Sequence, residues 1–173
     1  MASSEPNSSE YVGHHLLHLN NTGEIQTKLF DINIINIDTI FWSLATGLLT
    51  IFLLWLPARK ATSGVPNKFQ AAVEIVIEMV EEQSKSIVHG NRKFIAPLAL
   101  TVFIWVFFMN ALDLLPVDLP HFVFQAIGLG DIIHNHRIVP TADLNGTMGL
   151  ALGVFVLMIY YNLKIKGLIG FIK

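Results

Sequence analysis

FIAPLALTVFIWVFFMNAL, residues 94–112, runs for 19 residues without a charged side chain. A helix rises about 1.5 Å per residue, so roughly 17–25 apolar residues cross the hydrocarbon of a bilayer. Two more uncharged stretches have the same character, residues 39–56 (18 residues) and 144–163 (20 residues). Three such stretches in 173 residues predict an all-α membrane protein with three transmembrane helices.

Charge placement sets an expected orientation. Of 11 Lys and Arg, six (Arg59, Lys60, Lys68, Lys85, Arg92, Lys93) fall between the first and second stretches, and three (Lys164, Lys166, Lys173) follow the third. Only Lys28 and Arg137 lie elsewhere. Basic residues near spans stay cytoplasmic, which predicts the N-terminus outside and residue 173 inside. Glu5, Glu10, Glu24, Asp31, Asp38, Asp113, Asp118, Asp131 and Asp143 then all lie outside. Acidic residues weigh little in orientation, so that asymmetry reads as a functional property.

Composition fits a membrane chain: 53% hydrophobic and 14% charged, against about 25% charged in soluble domains. A net charge of −2 gives no general attraction to nucleic acid, and no basic, aromatic-interleaved surface for it is present. The absence of cysteine excludes disulfides and thiolate metal sites. Residues 1–38 lack a basic segment followed by an apolar one, so no cleavable signal peptide is expected and the first span directs insertion.

The expected organisation is an outer polar arm (1–38), a span (39–56), a cytoplasmic loop (57–93), a span (94–112), an outer loop (113–143), a span (144–163) and a cytoplasmic tail (164–173). In the arm, Tyr11, Leu16, Leu17 and Leu19 suit a short interfacial helix. The first span is expected to end at Pro57. Within the cytoplasmic loop, residues 68–88 are helical by pattern. Phe69, Val73, Val76 and Val80 form an apolar stripe, and Glu74, Glu78, Glu81 and Lys85 a charged one. Such a helix lies along the cytoplasmic interface, docks on a partner or packs on its own chain; periodicity does not choose between these. Pro116 and Pro120 are expected to end helical structure after the second span. Residues 121–140 read as an irregular connection with an apolar patch at Phe122, Val123 and Phe124. Gly146, Gly149, Ala151 and Gly153 favour close approach of a neighbouring helix.

Asn110, Asp113, Asp118, Asp143, Asn145 and Thr147 sit at or just inside the outer ends of the second and third spans. Polar and ionisable groups there usually face a bundle interior or a hydrated cavity. If the two spans are neighbours, these six line one aqueous funnel, with Asp143, Gly146 and Thr147 on one helix face. Taken singly, Asp113 and Asp143 are better explained as helix caps at headgroup level; the clustering favours a shared vestibule. Six of seven histidines also fall outside. His14 and His18 have helical ligand spacing, and His134 and His136 are close, but no third ligand is evident, so no metal site is expected. His14 and His15 are candidates for the vestibule, with simple solvation as the alternative. No phosphate-binding glycine loop or nucleophile elbow occurs, so neither catalytic residues nor a cofactor are expected.

The strings IAPLALTVFIWVFFMNALDLLPVDLP (95–120), KATSGVPNKFQAAVEIVIEMV (60–80), IVPTADLNGTMGLALGVF (138–155) and YVGHHL (11–16) strongly resemble subunit a of bacterial F-type ATP synthases, in its proteobacterial form. The resemblance covers essentially all 173 residues. It implies the proton-translocating stator subunit of a bacterial inner-membrane sector, beside the c-subunit ring and bound to the b subunits of the peripheral stalk, and embedded in membrane lipid. It implies no ATP chemistry in this subunit. The family's central arginine lies on a long helix beyond this region, whereas Arg59, Arg92 and Arg137 all fall outside the spans. The sequence is therefore read as the N-terminal three-span portion, carrying Asn110, Asp113, Asp118, Asp143 and Asn145 as outer half-channel lining. A structural anchor for the stalk is the competing reading, and a secondary-transporter fragment a third, though it lacks the internal repeat of such folds.

Overall fold

The computed structural model describes residues 18–22, 33–87, 93–116, 119–128 and 137–172. Tyr11, Leu16, Leu17, His14, His15, Asp118, His134 and His136 lie outside the described residues. Described elements are helical: α1 (Ile37–Arg59), α2 (Lys68–Ile87), α3 (Ile95–Ala111) continued by a 3-10 turn at Leu112–Leu114, α4 (Leu119–Ala126), a 3-10 turn at Pro140–Ala142, and α5 (Leu144–Ile172). Three segments are long and apolar enough to cross a membrane: Ile37–Arg59, Ile95–Leu114 and Leu144–Ile165. The all-α, three-span class expected from the sequence is the class observed.

Several details differ from expectation. Helix α1 runs through Pro57 to Arg59. Proline forfeits only its own bond to the carbonyl four residues back, and Lys60 N closes a last turn on Pro57 O at 3.1 Å. The segment read as irregular after the second span contains α4, with Pro120 in its first turn. A first-turn N–H has no intrahelical acceptor, so proline is tolerated there and does not terminate the helix. Leu19 belongs to no helix: residues 18–22 pair antiparallel with 33–37 through the Asn20–Asn36 bridge, Ile37 N to Leu19 O at 2.8 Å and Asn21 N to Ile35 O at 3.1 Å. Helix α5 extends well past residue 163, interrupted at Gly167, whose φ of 69° suits a residue without Cβ.

Contacts divide the chain into two compact units, Met1–Ala45 with Met109–Met148, and Thr46–Phe108 with Gly149–Lys173. In the first, Met109, Ile138 and Val139 are buried together with the polar side chains of Asn36, Asp38, Thr39 and Asp143. In the second, Thr46 and Thr50 are buried, and Thr50 Oγ1 donates to Thr46 O at 2.8 Å, as a hydroxyl in an apolar helix must. Trp105 of α3 packs over Gly47 of α1, with ring atoms 3.3 Å from where a Cβ would stand. Phe94 and Tyr161 stack with centroids 3.4 Å apart, which joins the start of α3 to α5.

Asn67 caps the start of helix α2, its Oδ1 accepting from Gln70 N at 2.8 Å. The covered face of the helix comprises Gln70, Val80 and Ser84, with Val73 and Val76 half-buried, whereas Phe69 is exposed. Polar Gln70 is accepted inside because its Nε2 donates to Thr62 O at 3.3 Å and to Glu74 Oε1 at 2.7 Å. Lys85 pairs with Glu81 at 3.0 Å on the solvated face. Beyond its start, α5 offers its neighbours within the chain little: no residue of Leu144–Ile165 is buried.

Candidate functional site: buried carboxylates where the spans begin and end

Among the described residues of the first unit, two carboxylates are buried, Asp38 at 4% and Asp143 at 6% exposure. Each is held by neighbours chosen by the fold. Asp143 precedes α5 and caps it: Oδ1 accepts from Asn145 N at 3.0 Å, and the Asp143 carbonyl accepts Thr147 N and Thr147 Oγ1, both at 3.0 Å. Its other oxygen, Oδ2, accepts the side-chain amide of Asn36 at 2.9 Å. Asn36 lies just before α1, so this bond ties the starts of two spans together. The remaining atom of that amide, Asn36 Oδ1, is buried and accepts no hydrogen bond among the described residues.

Asp38 gathers three separate segments. Oδ2 accepts from Leu19 N at 3.1 Å, from Arg137 N at 2.9 Å and from His18 Nδ1 at 3.2 Å. The ring nitrogen is the donor in that last bond, because an ionised carboxylate only accepts. Oδ1 also accepts from Thr39 N at 2.8 Å. One side chain thus fixes the residue 18–22 segment and the chain entering Ile138–Pro140 against the start of α1.

Helix contact at this level is close. A Cβ on Gly146 would stand 2.8 Å from Thr39 Cγ2 and 3.7 Å from Asp143 Oδ2, so only glycine fits without movement. Gly149 and Gly153, with the same small-residue spacing, meet no described atom within 4 Å of where a Cβ would be.

The end of α3 joins through Thr141, whose Oγ1 donates to Asn110 Oδ1 at 3.0 Å. Asn110 thereby touches the turn leading into Asp143. Of the sequence-derived candidates, Asn110, Asp143, Asn145 and Thr147 fall in this one region, Asp143 buried, Asn145 and Thr147 half-buried, and Asn110 exposed. Asp113 is exposed in the 3-10 turn after α3. Asp118, His14 and His15 lie outside the described residues. Sequence reasoning does not anticipate Asn36, Asp38, His18 and Thr141 as members. The signal for the first two is local: an Asn and an Asp two residues apart at the head of an apolar run, where helix starts recruit side-chain acceptors. No group of three or more metal-ligating side chains occurs among the described residues.

Residues 40–173 match the family of the ATP synthase A chain. The chain is 53% identical over 171 residues to a protein of Paracidovorax citrulli (strain AAC00-1) named ATP synthase subunit a, covering 95% of this chain and 58% of that one. It is 52% identical over 167 residues to the ATP synthase subunit a of Acidovorax sp. (strain JS42), covering 95% and 57% respectively. A Verminephrobacter eiseniae (strain EF01-2) protein of the same name is 52% identical over 164 residues, covering 94% and 56%. The chain thus spans somewhat under three fifths of the length of these relatives. With a family match extending from residue 40 to residue 173, three apolar spans and polar groups gathered where those spans meet, the chain belongs to the ATP synthase A chain family.

Proposed function

We propose that these residues form the outer proton inlet and part of the stator surface of the proton-translocating subunit a of an F-type ATP synthase. In the complete protein, protons entering past Asn110, Asp113, Asp118, Asp143, Asn145 and Thr147 reach the c-subunit ring, and their flow drives rotation. The subunit performs no ATP chemistry itself. It sits in a bacterial inner membrane with residue 1 outside and residue 173 inside, bound to the b subunits of the peripheral stalk. The orientation is supported by Arg59 lying 5.0 Å over the Trp55 ring and Lys164 5.7 Å over Tyr160, basic and aromatic groups paired at one end of α1 and near one end of the α5 span.

The observation that carries the inlet reading is Asn36 Oδ1, buried beside Asp143 and accepting no hydrogen bond among the described residues. A buried acceptor needs a donor, and water reaching it from outside would place the carboxylate on a hydrated path. Replacing Asp113 and Asp143 together by Asn in the full-length protein tests this. An inlet predicts reduced proton flux in fully assembled enzyme.

A second reading, a structural anchor for the stalk, is favoured by the saturation of Asp143: both carboxylate oxygens are already bonded, as in an ordinary helix cap. An anchor predicts lost assembly, or no change, from the same double replacement.

A further inference from the structure

We propose that α4 is a membrane-surface helix, with Leu119, Phe122, Val123 and Ile127 set against lipid acyl chains at the membrane face where Asn110 and Asp143 lie. This requires only that the chain spans a membrane, and it stands whether or not the inlet reading does.

The outward face of α4 is the wrong one for water. Phe122 is 73% exposed and Ile127 60%, with Leu119 and Val123 each more than two fifths exposed. Positions 119, 122, 123 and 127 share one side of a helix by their three- and four-residue spacing. Phe124, on the other side, is half-buried against the protein. A short helix docked on a protein in water turns its polar side chains outward. Here four large apolar side chains face outward alongside exposed Gln125, and residues 119–128 contain no Asp, Glu, Lys or Arg.

Continuity with the span names the occupant. The second membrane-crossing segment ends at Leu114, and Leu114 is 86% exposed. Exposed Leu115 follows, and Leu119 N bonds Pro116 O at 3.0 Å. A chain reaches at most about 3.6 Å per residue even when extended, so α4 starts within reach of the hydrocarbon boundary. Leu114 and Leu115 thus put exposed apolar side chains at the end of the span, within reach of those of Leu119 and Phe122. A lipid surface fits these exposed apolar side chains, and with no Asp, Glu, Lys or Arg on the helix, insertion depends on apolar contact and not on anionic headgroups.

Full-length protein assembled in the synthase and reconstituted in vesicles of zwitterionic lipid provides the test. Nitroxide labels at Phe122→Cys, Val123→Cys and Gln125→Cys are read for collision with oxygen, which concentrates in lipid, and with a nickel chelate, which stays in water. The ratio of oxygen to nickel accessibility should be several-fold higher at 122 and 123 than at 125, and unchanged when anionic lipid is added. Phe122→Trp, a conservative replacement, gives a second reading: blue-shifted emission quenched by lipids brominated near the headgroup end of the chain. Nickel access at 122 and 123 equal to that at 125 would mean a helix in water. Loss of access to both reagents would mean that another protein covers the face. Either result, or indole emission of the Phe122→Trp variant that brominated lipid leaves unaffected, overturns the proposal.

Discussion

The side-chain amide of Asn36 donates to Oδ2 of Asp143 at 2.9 Å, across 107 positions of sequence and between two side chains that are both almost wholly buried. Removing one partner of such a bond leaves the other unsatisfied, at a cost of about 1–3 kcal/mol. Asn36→Leu should lower the denaturation midpoint of the full-length protein in detergent accordingly. Asn36→Asp should lower it further by setting a second carboxylate against the first. An unchanged midpoint in both variants would show that the bond contributes nothing to holding the starts of α1 and α5 together.

Asp38 accepts from two distant segments of the chain at once, residues 18–19 and residue 137. Asp38→Ala strands the amides of Leu19 and Arg137 and should destabilise the first unit by about 3 kcal/mol, as for a charged acceptor with several donors. Asp38→Asn keeps one accepting oxygen and should cost less. The measurement is amide hydrogen exchange at Leu19 and Arg137, which should accelerate in Asp38→Ala while amides in the middle of α1 stay protected.

Close packing of Gly146 on Thr39 gives a prediction with an internal control. Gly146→Ala forces a methyl to within 2.8 Å of Thr39 Cγ2. Overpacking of that kind should cost about 1–3 kcal/mol. Thr39→Ser removes that Cγ2, so in the double variant the penalty of the alanine should largely disappear. A double-mutant cycle with no coupling would refute the contact.

Topology is testable because these 173 residues contain no cysteine. Single cysteines introduced near Asn20 and at position 132 should react with an impermeant thiol reagent added outside. A cysteine at Lys85, on the exposed side of α2, should react only after the membrane is opened. Labelling of position 85 from outside would reverse the orientation.

The spans are legible in the sequence because each is a long uncharged run, and α2 because its apolar and charged stripes keep helical spacing along its length. Helix α4 is not, since Pro120 reads as a terminator until it is seen in a first turn, and so short a helix carries too little of its period. The polar candidates at the head of α5 are readable because Asp143, Asn145 and Thr147 are neighbours in sequence. Their partner Asn36 is not, since a bond between positions 36 and 143 leaves no local pattern. Asp38 is visible only as one acidic residue among several on its side; its acceptor role depends on where residues 19 and 137 arrive. The expected glycine stripe resolves into one close contact, at Gly146, because packing depends on what stands opposite and the sequence of α5 does not contain that.

The inlet itself makes an ordered prediction. If Asn110, Asp113, Asp143 and Asn145 border one aqueous vestibule, cysteines at these positions in the full-length protein should react with small water-soluble reagents from outside, in the order of their exposure. Positions 110 and 113, both exposed, should react first; half-buried 145 should follow; and 143, at 6% exposure, should react most slowly. Single replacement of Asp113 or Asp143 by Leu should lower proton flux only in part, because water and the remaining polar groups still relay protons. Asp113→Leu with Asp143→Leu should lower it beyond the product of the single effects, since an apolar vestibule loses its water collectively. Asp143→Leu also removes the α5 cap, at about 1 kcal/mol, so assembly must be measured beside flux. Asp143→Asn keeps a capping oxygen and separates the two effects. Low flux in an assembled Asp143→Asn enzyme identifies a proton path through this carboxylate. Normal flux there, with all four cysteines inert, leaves Asp143 as the clasp between α1 and α5 and moves the inlet elsewhere.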